Sequence, residues 1–545
     1  MTAEPMRARS LWAWGWRDRQ PDERARENLA QLARALVPGA QPALRALPPD
    51  DPSVPPPRAS IPDELAAFAA QEPRDRAAHA RGRAFPDLVA GFAGDFAGAP
   101  DLVARPRSAE EILRVLAACD ARGWACVPFG GGTSVVGGVD AAAARLVASA
   151  AGPGTIVDDR VVVSLDLAAL AGVLEVDHVS RLARVGAGTL GPALEAALGA
   201  HGLTLRHYPQ SFELSTVGGW LATRAAGHYA TGPTHIDDHC HALTLVTPRG
   251  ELATHAHPAS GAGPEPARLV LGSEGALGVI AEAWLRVVPR PRWRASASVA
   301  FRAFDTGVAC ARALAQSGLQ PANARLLDPD EARLHRVRFD GSSVLLIGFE
   351  SADHPVGASL ARALELARDH GGEVVSGPHE RDDAGGQGEA GAWRQAFFDA
   401  PYLQSSLLSI GVLSDTFETA CTWTAFPALH ARVTSAVRAA LAAECGGGLV
   451  ACRFTHVYPD GPAPYYTFVG AARPGAELAQ WRALKSAAAD AVAAAGGTIT
   501  HHHAVGRTHL PWYRRERPAL FGDALRAVKR ALDPNGICNP GVLID

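Results

Sequence analysis

Paired cysteines, a charge imbalance and long hydrophobic runs are all missing from this sequence. Its eight cysteines contain no Cys-x-x-Cys pair, which argues against a zinc ribbon, an iron–sulfur cluster or a disulfide framework and favours a reducing cytoplasm. No run approaches the roughly 18 consecutive apolar residues of a membrane-spanning helix, and the first residues lack the apolar core of a signal peptide. We therefore expect a cytoplasmic protein.

The charge balance argues against a nucleic-acid partner. The formal net charge is −4, and no stripe of basic and aromatic residues offsets it. With 47% hydrophobic and 20% charged residues among 545, the composition is that of an ordinary globular protein with room for two or three domains. Such a chain can bury a large cofactor.

What the sequence does contain is glycine, and its most informative cluster is PFGGGTSVVGG at 128–138. Three consecutive glycines remove every Cβ from a loop and let its N–H groups turn inward upon phosphate oxygens. Thr133 and Ser134 add hydroxyl donors, and the preceding WACVP predicts a short strand that ends at the loop. The spacing fits neither a P-loop nor the dinucleotide fingerprint GxGxxG. It favours a bound anionic ligand, with a tight surface turn as the alternative.

Two further glycine clusters follow between predicted strands. In STVGGWLATRAAG, Ser215 and Thr216 stand just ahead of a predicted helix whose N–H groups could meet a phosphate or a flavin edge. The other cluster is LGSEGALGVI at 271–280. Three such clusters are hard to explain as turns alone, so we expect them to be walls of one cofactor cleft.

The elements before the first cluster form a predicted strand–helix–strand unit. Within DLVARPRSAEEILRVLAACDARGWACVP, Ser108 followed by Glu110 and Glu111 marks the start of an amphipathic helix. Residues 1 to about 60 combine a WAWGW piece, a helical ENLAQLARAL and the Pro-rich PPDDPSVPPPR. We interpret them as an arm and a linker. The WAWGW piece either packs on the body of the protein or touches a membrane interface.

Several motifs carry a resemblance to a known family. PFGGGTSVVGG, STVGGWLATRAAG, VTPRGEL and GSEGALGVI resemble the motifs of the FAD-binding domain shared by vanillyl-alcohol oxidase and p-cresol methylhydroxylase. Within that superfamily the chain is similar, nearly end to end, to the alkylglycerone-phosphate (alkyldihydroxyacetonephosphate) synthases, the flavoenzymes of ether-lipid synthesis. The likeness includes the WAWGW arm, NARLLDP, DTFETACTW, YPDGPAPYYTF, THHHAVGR and LDPNGICNP.

The resemblance implies an α+β fold in four parts. These are an N-terminal arm and helical region at 1–94, a two-subdomain FAD-binding domain of the p-cresol methylhydroxylase (PCMH) type at 95–288, a substrate-binding cap with an antiparallel sheet at 289–495, and a C-terminal segment at 496–545 that returns to the flavin. It also implies a small-molecule or lipid substrate, peripheral membrane contact, a homodimer and no metal ion. Members with covalent FAD often use a His beside the glycine loop or in the cap. Since Thr133 follows the three glycines here, we expect noncovalent FAD.

The resemblance assigns a set of residues to the cofactor. They are Pro128, Gly130, Gly131, Gly132, Thr133, Ser134, Gly137, Pro209, Ser215, Thr216, Gly218, Gly219, Thr223, Gly227, Asp238, Glu274, Gly275, Gly278, Val279, Ile280 and Arg325. Most of them stand in the three glycine clusters.

The catalytic candidates lie in the second half of the chain. The family match gives Tyr465 the removal of the substrate proton; from the residues alone, PYYTFV predicts a strand with Tyr466 on the opposite face, and a buried Tyr is usually core. His501, His502 and His503, if extended, would place the first and third on one side and the second on the other. Neutral imidazoles near a flavin can exchange protons around pH 7, while a surface or metal-binding His tract is the alternative.

One position departs from the family. Where its members carry an Arg required for activity, in a Tyr-hydrophobic-Arg pattern, this chain has Tyr402-Leu403-Gln404. Gln404 keeps hydrogen-bonding capacity but loses the fixed charge and forked geometry of Arg. Arg453 does match, and we expect it to face the substrate together with Gln404. A second departure is Pro233-Thr234, where the family tends to show Tyr-Gly.

Two enzymatic hypotheses follow. The first is a transferase reaction, in which the acyl group of acyl-dihydroxyacetone phosphate is exchanged for a fatty alcohol. The second is an FAD-dependent oxidoreductase that dehydrogenates a 2-hydroxy acid or a related alcohol. Gln404 favours the second, whereas the triple His, the Tyr segment and the Trp arm favour the first. A flavin-binding protein without activity is a third hypothesis, supported only by Gln404.

Overall fold

The computed structural model describes residues 7–148, 156–158, 160–381 and 389–544. The first hundred residues hold the predicted arm and a helical region that packs beside the glycine loop. Their elements are α1 (Glu23–Leu36), β1 (Ala69–Ala70), α2 (Pro73–Ala78) and α3 (Phe85–Phe92), with single 3-10 turns at Arg17–Arg19 and Asp63–Leu65.

The next part of the chain alternates short strands and helices. Its strands are β2 (Leu102–Ala104), β3 (Ala125–Phe129), β4 (Leu146–Ala148), β5 (Ile156–Asp158), β6 (Val162–Asp166), β7 (Val173–Asp177), β8 (Leu182–Gly186), β9 (Leu203–Thr204), β10 (Cys240–Thr247), β11 (Gly250–Ala253), β12 (Val279–Arg286) and β13 (Val288–Pro289). Its helices are α4 (Ala109–Arg122), α5 (Ala141–Ala144), α6 (Gly191–Ala200), α7 (Val217–Thr223), α8 (Ile236–His239) and α9 (Pro266–Val270), with a 3-10 turn at Leu167–Ala169.

These strands form two main sheets. One has the order β1-β2-β6-β3, with β2, β6 and β3 parallel and β1 antiparallel at the edge. The other is antiparallel, with the order β11-β10-β12-β8-β7. Two-stranded ladders join β13 to β9 and β4 to β5.

Local sequence signals explain how the first sheet positions the glycine loop. The Ser108 hydroxyl accepts a 3.2 Å hydrogen bond from the N–H of Glu111 and caps α4 as predicted. Helix α4 ends at Gly123, whose φ of +66° is the left-handed conformation that glycine adopts without strain. Strand β3 then runs almost fully buried to Phe129, so the loop begins at the carboxyl end of a parallel strand.

The second half of the chain is built on one antiparallel sheet of seven strands. Its order is β17-β14-β16-β15-β19-β20-β18. The strands are β14 (Trp293–Phe301), β15 (Asn323–Leu327), β16 (Ser343–Ser351), β17 (Glu373–Arg381), β18 (Val412–Glu418), β19 (Gly448–Val457) and β20 (Pro462–Ala471). The helices are α10 (Phe304–Gln316), α11 (Pro329–Leu334), α12 (Gly357–Asp369), α13 (Glu389–Leu408), α14 (Phe426–Cys445) and α15 (Glu477–Ala494). The predicted α+β fold with an antiparallel cap is confirmed.

Strand pairing places Tyr465, Glu418 and Arg453 side by side in this sheet. Tyr465 on β20 lies opposite Glu418 on β18 and opposite Arg453 on β19. Its neighbour Tyr466 points to the other face, where its ring stacks on Phe417 at 4.9 Å. The strand and the two opposite faces predicted for this tyrosine pair are therefore correct.

The last described residues return to the glycine loop after α16 (Leu510–Glu516) and α17 (Ala519–Leu532). The N–H of Cys126 donates to the carbonyl of Ile537 at 2.8 Å, and the N–H of Asn539 donates to the carbonyl of Cys126 at 2.8 Å. The Asn539 side-chain amide also donates to the carbonyls of Gly138 and Glu274, at 2.9 and 2.7 Å. This segment thus ties two glycine clusters together.

The WAWGW piece packs on the body of the protein. Ala13 and Trp14 are buried, and Trp14 joins the apolar cluster that contains Phe85 and Leu88. All eight cysteines are free thiols. In the described part of the chain, no helix is both long and apolar enough to cross a membrane.

Candidate active site

A cavity of about 310 Å³ lies between the glycine loop and the seven-stranded sheet. It brings together residues that stand more than 300 positions apart in the sequence. The predicted site residues that line it are Gly130, Gly131, Gly132, Thr133, Ser134, Pro209, Ser215, Thr216, Gly219, Thr223, Gly227, Arg325, Gln404, Arg453, Tyr465, His502 and His503.

The other predicted site residues do not line this cavity. They are Pro128, Gly137, Gly218, Asp238, Glu274, Gly275, Gly278, Val279, Ile280 and His501. Glu274 shows what such a residue does here: its carboxylate accepts hydrogen bonds from the N–H groups of Val505 and Gly506, and burial raises its pKa to about 7. It fastens the returning C-terminal segment to the third glycine cluster. Contact of these residues with the cofactor stays a prediction.

The glycine loop offers unused hydrogen-bond donors to the cavity. Within the described part of the chain, no backbone N–H from residue 130 to 135 donates a hydrogen bond. A Cβ on Gly131 would lie 1.9 Å from the carbonyl oxygen of Leu214, and one on Gly130 would lie 2.3 Å from Oγ1 of Thr216. The two glycine segments are therefore in close contact, and their free donors fit the oxygens of a pyrophosphate.

The N-terminal arm reaches the same loop through Arg9. Its guanidinium donates to the carbonyls of Gly131 and Leu214, each at 2.9 Å, and lies 4.9 Å from the ring centre of Trp16. Burial lowers the pKa of Arg9. Sequence reasoning missed this contact, because nothing in the local sequence around residue 9 marks a partner more than 120 positions away.

Gln404 lines the cavity, but its amide is already engaged. Its Oε1 accepts a 3.2 Å hydrogen bond from Nε1 of Trp14, another lining residue. Its Nε2 donates to the carbonyl of Ser414 and to Oδ1 of Asp415, both at 3.1 Å. Gln404 thus holds the Trp arm against the sheet, and its substrate-binding role stays a prediction.

Tyr465 presents its hydroxyl at the cavity wall. The hydroxyl donates to Oγ1 of Thr416 at 2.9 Å, and the Arg453 guanidinium lies 4.0 Å from the centre of its ring. Arg453 in turn forms a buried ion pair with Glu331. Burial raises the pKa of Tyr465, and the positive charge of Arg453 opposes that rise. Tyr465 therefore keeps its proton at neutral pH before substrate binds.

The histidine triplet is a bend, so the expected alternation of faces is wrong. The carboxylate of Glu418 accepts hydrogen bonds from the backbone N–H groups of His501, His502 and His503. Three successive N–H groups can converge on one carboxylate only if the backbone turns around it. As a result His502 and His503 both line the cavity, whereas His501 lies behind them.

The electrostatics of this bend keep the imidazoles neutral. Burial lowers the pKa of His502 to about 3 and of His503 to about 4, although the Glu418 charge opposes both shifts. Burial acts to raise the pKa of Glu418, but the hydrogen bonds that its carboxylate accepts, from the Thr500 hydroxyl and from the backbone of the triplet, hold that pKa below its usual range. A buried carboxylate therefore faces neutral bases at pH 7.

A second layer of polar residues supports the triplet. Nδ1 of His501 lies 3.0 Å from Nδ1 of His502, and its Nε2 lies 2.8 Å from the Tyr458 hydroxyl and 3.1 Å from Nε2 of His235. The ring of His456, which itself lines the cavity, is 4.9 Å from that of His501. Ring nitrogens of His456, His501 and His502 all lie within 4.8 Å of one another, a spacing that would also suit a metal ion.

The sequence held partial signals for this second layer. His456 precedes the Tyr segment in THVYP, and Glu418 stands inside the motif DTFETACTW. His235, in PTHIDDH, carries no motif at all. Only the fold brings it to the triplet.

Comparisons with known proteins identify relatives of the chain and structures of similar fold. A family model described as "FAD binding domain" matches residues 100–255, and one described as "FAD linked oxidases, C-terminal domain" matches residues 290–543. An alkyldihydroxyacetonephosphate synthase from Caenorhabditis elegans is 30% identical over 507 residues, which cover 87% of this chain and 81% of the relative. The corresponding protein from Dictyostelium discoideum is 29% identical over 497 residues, with 86% and 77% covered. A solved alkyldihydroxyacetonephosphate synthase structure superposes with a TM-score of 0.79 at 24% identity, covering 98% of each chain.

Proposed function

The chain belongs to the alkyldihydroxyacetonephosphate synthase family, and we propose that it exchanges the acyl group of an acyl-dihydroxyacetone phosphate for a fatty alcohol. It is an FAD enzyme, with the family's flavin-binding and C-terminal parts both present. The observation that carries the proposal is the single cavity that joins the free N–H groups of the glycine loop to Tyr465 and His502. FAD, when bound there, supplies an electrophilic ring that ends the cycle in its starting redox state.

The glycine clusters would hold the cofactor. The N–H groups of residues 130 to 135 would bind the pyrophosphate, since they are free and line the cavity. Because Thr133 follows the glycines and offers no nitrogen for attachment, we propose that the FAD is noncovalent. Acid precipitation should therefore release all flavin into the supernatant, and yellow colour in the pellet would contradict this.

Proton transfer is the task we assign to Tyr465 and His502. His502 is neutral at pH 7 and lines the cavity, so it can accept the proton that leaves the substrate carbon. The imidazolium formed would be stabilised by Glu418, whose Oε2 lies 3.7 Å from Nδ1 of His502. The ring of Tyr465 stacks on His502 at 6.0 Å, and its hydroxyl would donate a hydrogen bond to the substrate in place of Thr416.

A buried positive charge beside the cavity suits an anionic substrate. Arg325 and Arg453 both line the cavity, and Arg453 forms an ion pair with Glu331. Burial lowers the pKa of Arg325 to about 9, with Arg453 adding to the shift, so it stays protonated at pH 7. Burial raises the pKa of the nearby Asp328 to about 8, so this carboxyl is neutral. Guanidinium groups at this wall suit a phosphate or a departing carboxylate.

The direct test is a product assay. Purified FAD protein would be mixed with acyl-dihydroxyacetone phosphate and a radiolabelled fatty alcohol, and the alkali-stable ether product would be counted. Labelled ether is the expected result. If no ether forms but a 2-hydroxy acid bleaches the flavin without oxygen, the dehydrogenase alternative is correct. We favour the synthase because relatives with that name are 29% and 30% identical to this chain, whereas an FAD-linked oxidoreductase from Escherichia coli is 25% identical.

The remaining proposals concern organisation and location. We propose the domain division 95–288 for FAD and 289–495 for substrate, a homodimer, and a cytoplasmic enzyme in peripheral contact with membranes. Leu520 and Phe521 support the membrane contact, because their side chains are 82% and 52% exposed beside Arg514, Arg515 and Arg517. The Trp arm gives no such support, because Ala13 and Trp14 are buried. Light scattering and sedimentation with anionic vesicles would test the dimer and the membrane contact.

A further inference from the structure

The protonation pattern of His501 and His502 follows from one hydrogen bond made by His235, a residue outside the triplet. Nδ1 of His235 lies 3.0 Å from the carbonyl oxygen of Arg224. A carbonyl only accepts hydrogen bonds, so Nδ1 of His235 must carry a proton. Burial lowers the pKa of His235, which keeps the ring neutral and leaves a lone pair on its Nε2.

That lone pair determines the state of His501. Nε2 of His501 lies 3.1 Å from Nε2 of His235, and two lone pairs at that distance would repel each other. Nε2 of His501 must therefore carry the proton and donate it to His235, shared with the Tyr458 oxygen at 2.8 Å. The Tyr458 hydroxyl then donates to Oγ1 of Thr234 at 2.9 Å. His501 is also neutral, because burial lowers its pKa, so its Nδ1 has a lone pair.

The same donor and acceptor argument applies to His502, which lines the cavity. Nδ1 of His502 lies 3.0 Å from Nδ1 of His501 and must be the donor in this pair. The neutral ring then carries its lone pair on Nε2, an atom for which the described residues provide no hydrogen-bond partner. His502 lines the cavity, so the lone pair is available to a ligand there.

Without His235 the opposite pattern becomes possible. Tyr458 could then donate to Nε2 of His501, whose Nδ1 would donate to His502. His502 would place its proton on Nε2 and could no longer act as a base towards the cavity. We propose that His235 is a positioning residue that selects the tautomer of the His501–His502 pair and thereby keeps Nε2 of His502 unprotonated. The catalytic value of this selection rests on the proposed function, whereas the tautomer itself does not.

The charged and polar groups around His502 are compatible with this assignment. Glu418 lies 3.7 Å from Nδ1 of His502 and favours a proton on that nitrogen. The other neighbours are His456, His503 and Tyr465, whose rings lie 5.8, 4.7 and 6.0 Å from the His502 ring. Burial lowers the pKa of both neighbouring histidines, so they are neutral at pH 7.

Nitrogen NMR of the FAD holoenzyme tests the proposal independently of activity. Histidine-selective 15N labelling with long-range proton–nitrogen correlation distinguishes protonated from unprotonated ring nitrogens, and His502→Gln assigns the His502 signals. The wild type should show His502 protonated on Nδ1 alone. The His235→Phe variant should move the proton to Nε2 and lower kcat on acyl-dihydroxyacetone phosphate about tenfold, with unchanged FAD content. The His235→Gln variant offers an acceptor oxygen to His501 and should restore both readouts.

Two further variants separate tautomer selection from simple packing. Tyr458→Phe should keep the wild-type tautomer, because Tyr458 only accepts from His501. His430→Phe replaces a buried histidine elsewhere in the cap, between Phe304 and Phe426, and should change neither readout.

Three results would overturn the proposal. They are a proton on Nε2 of His502 in the wild type, an unchanged pattern in His235→Phe, or one equivalent of metal bound at these histidines in the holoenzyme. If the tautomers are as expected but no ether forms, the proposed function fails and the tautomer selection stands. If ether forms and His235→Phe leaves the pattern unchanged, the tautomer selection fails and the proposed function stands.

Discussion

The indole Nε1 of Trp14 donates a 3.2 Å hydrogen bond to Oε1 of Gln404, and this contact joins the arm to the cap. Because Nε2 of Gln404 donates to Asp415, a carboxylate already lies where an introduced guanidinium would need a partner. The position where we predict a departure from the family is therefore built into the arm contact, and Gln404→Arg would not bury an unpaired charge there.

Gln404→Arg should lower the KM for acyl-dihydroxyacetone phosphate by about tenfold, the effect of one added charge-assisted hydrogen bond. The new guanidinium can pair with Asp415 and direct its remaining N–H groups into the cavity. Steady-state kinetics measure the change. Gln404→Met, similar in size but uncharged, should give no such decrease. A raised KM in the Arg variant would mean that the substrate carries no anionic group at this wall.

Gly131→Ala should abolish FAD binding, because its Cβ would lie 1.9 Å from the Leu214 carbonyl oxygen and force the two glycine segments apart. The ratio of flavin to protein absorbance measures the loss, and urea unfolding shows whether the fold survives. Gly261→Ala is the matched control, since its Cβ would meet no atom within 4 Å. Full FAD content in Gly131→Ala would remove this loop from the cofactor site.

Tyr465→Phe should reduce kcat by about 100-fold while FAD content stays constant, since only a hydroxyl bonded to Thr416 is lost. Tyr466→Phe is a close control, because that hydroxyl lies on the other face of β20 beside His430. Its kcat should remain near that of the wild type. An equal loss of kcat in both variants would show that Tyr465 has only a structural role.

His239→Phe should remove an acid-sensitive contribution to stability. Burial lowers the pKa of His239 to about 4, from an ordinary value of 6.5. Between these values the unfolded chain binds a proton that the folded chain does not, so this histidine costs stability as the pH falls below 6.5. Relative to the variant, the wild type should lose about 1.4 kcal/mol of unfolding free energy per pH unit between pH 6 and 4.5.

Urea titrations at several pH values measure this difference. His354→Phe, at an exposed position, should keep the pH dependence of the wild type. Parallel curves for the wild type and His239→Phe would show that His239 is protonated in the folded protein.

The sequence predicted those parts of the site whose geometry is local. The glycine loop at the end of β3, the cap on α4 and the two faces of Tyr465 and Tyr466 depend on neighbouring residues alone. The histidine triplet was predicted wrongly, because Glu418 contributes the carboxylate that bends it from a strand more than 80 positions earlier. Arg9, His235 and the contact of Trp14 with Gln404 were missed for the same reason, since only the fold brings these partners near.

The hydrogen bonds that Arg9 and Asn539 donate to the glycine clusters have a consequence during protein synthesis. Arg9 binds the carbonyl of Gly131, and Asn539 binds those of Gly138 and Glu274. Arg9 is made at the beginning of translation and Asn539 near its end, so the glycine clusters lack their second clamp until almost the whole described chain has left the ribosome. We expect a chain that stops before this segment to hold flavin more weakly. Flavin content should therefore report whether a given molecule has been synthesised through its C-terminal segment.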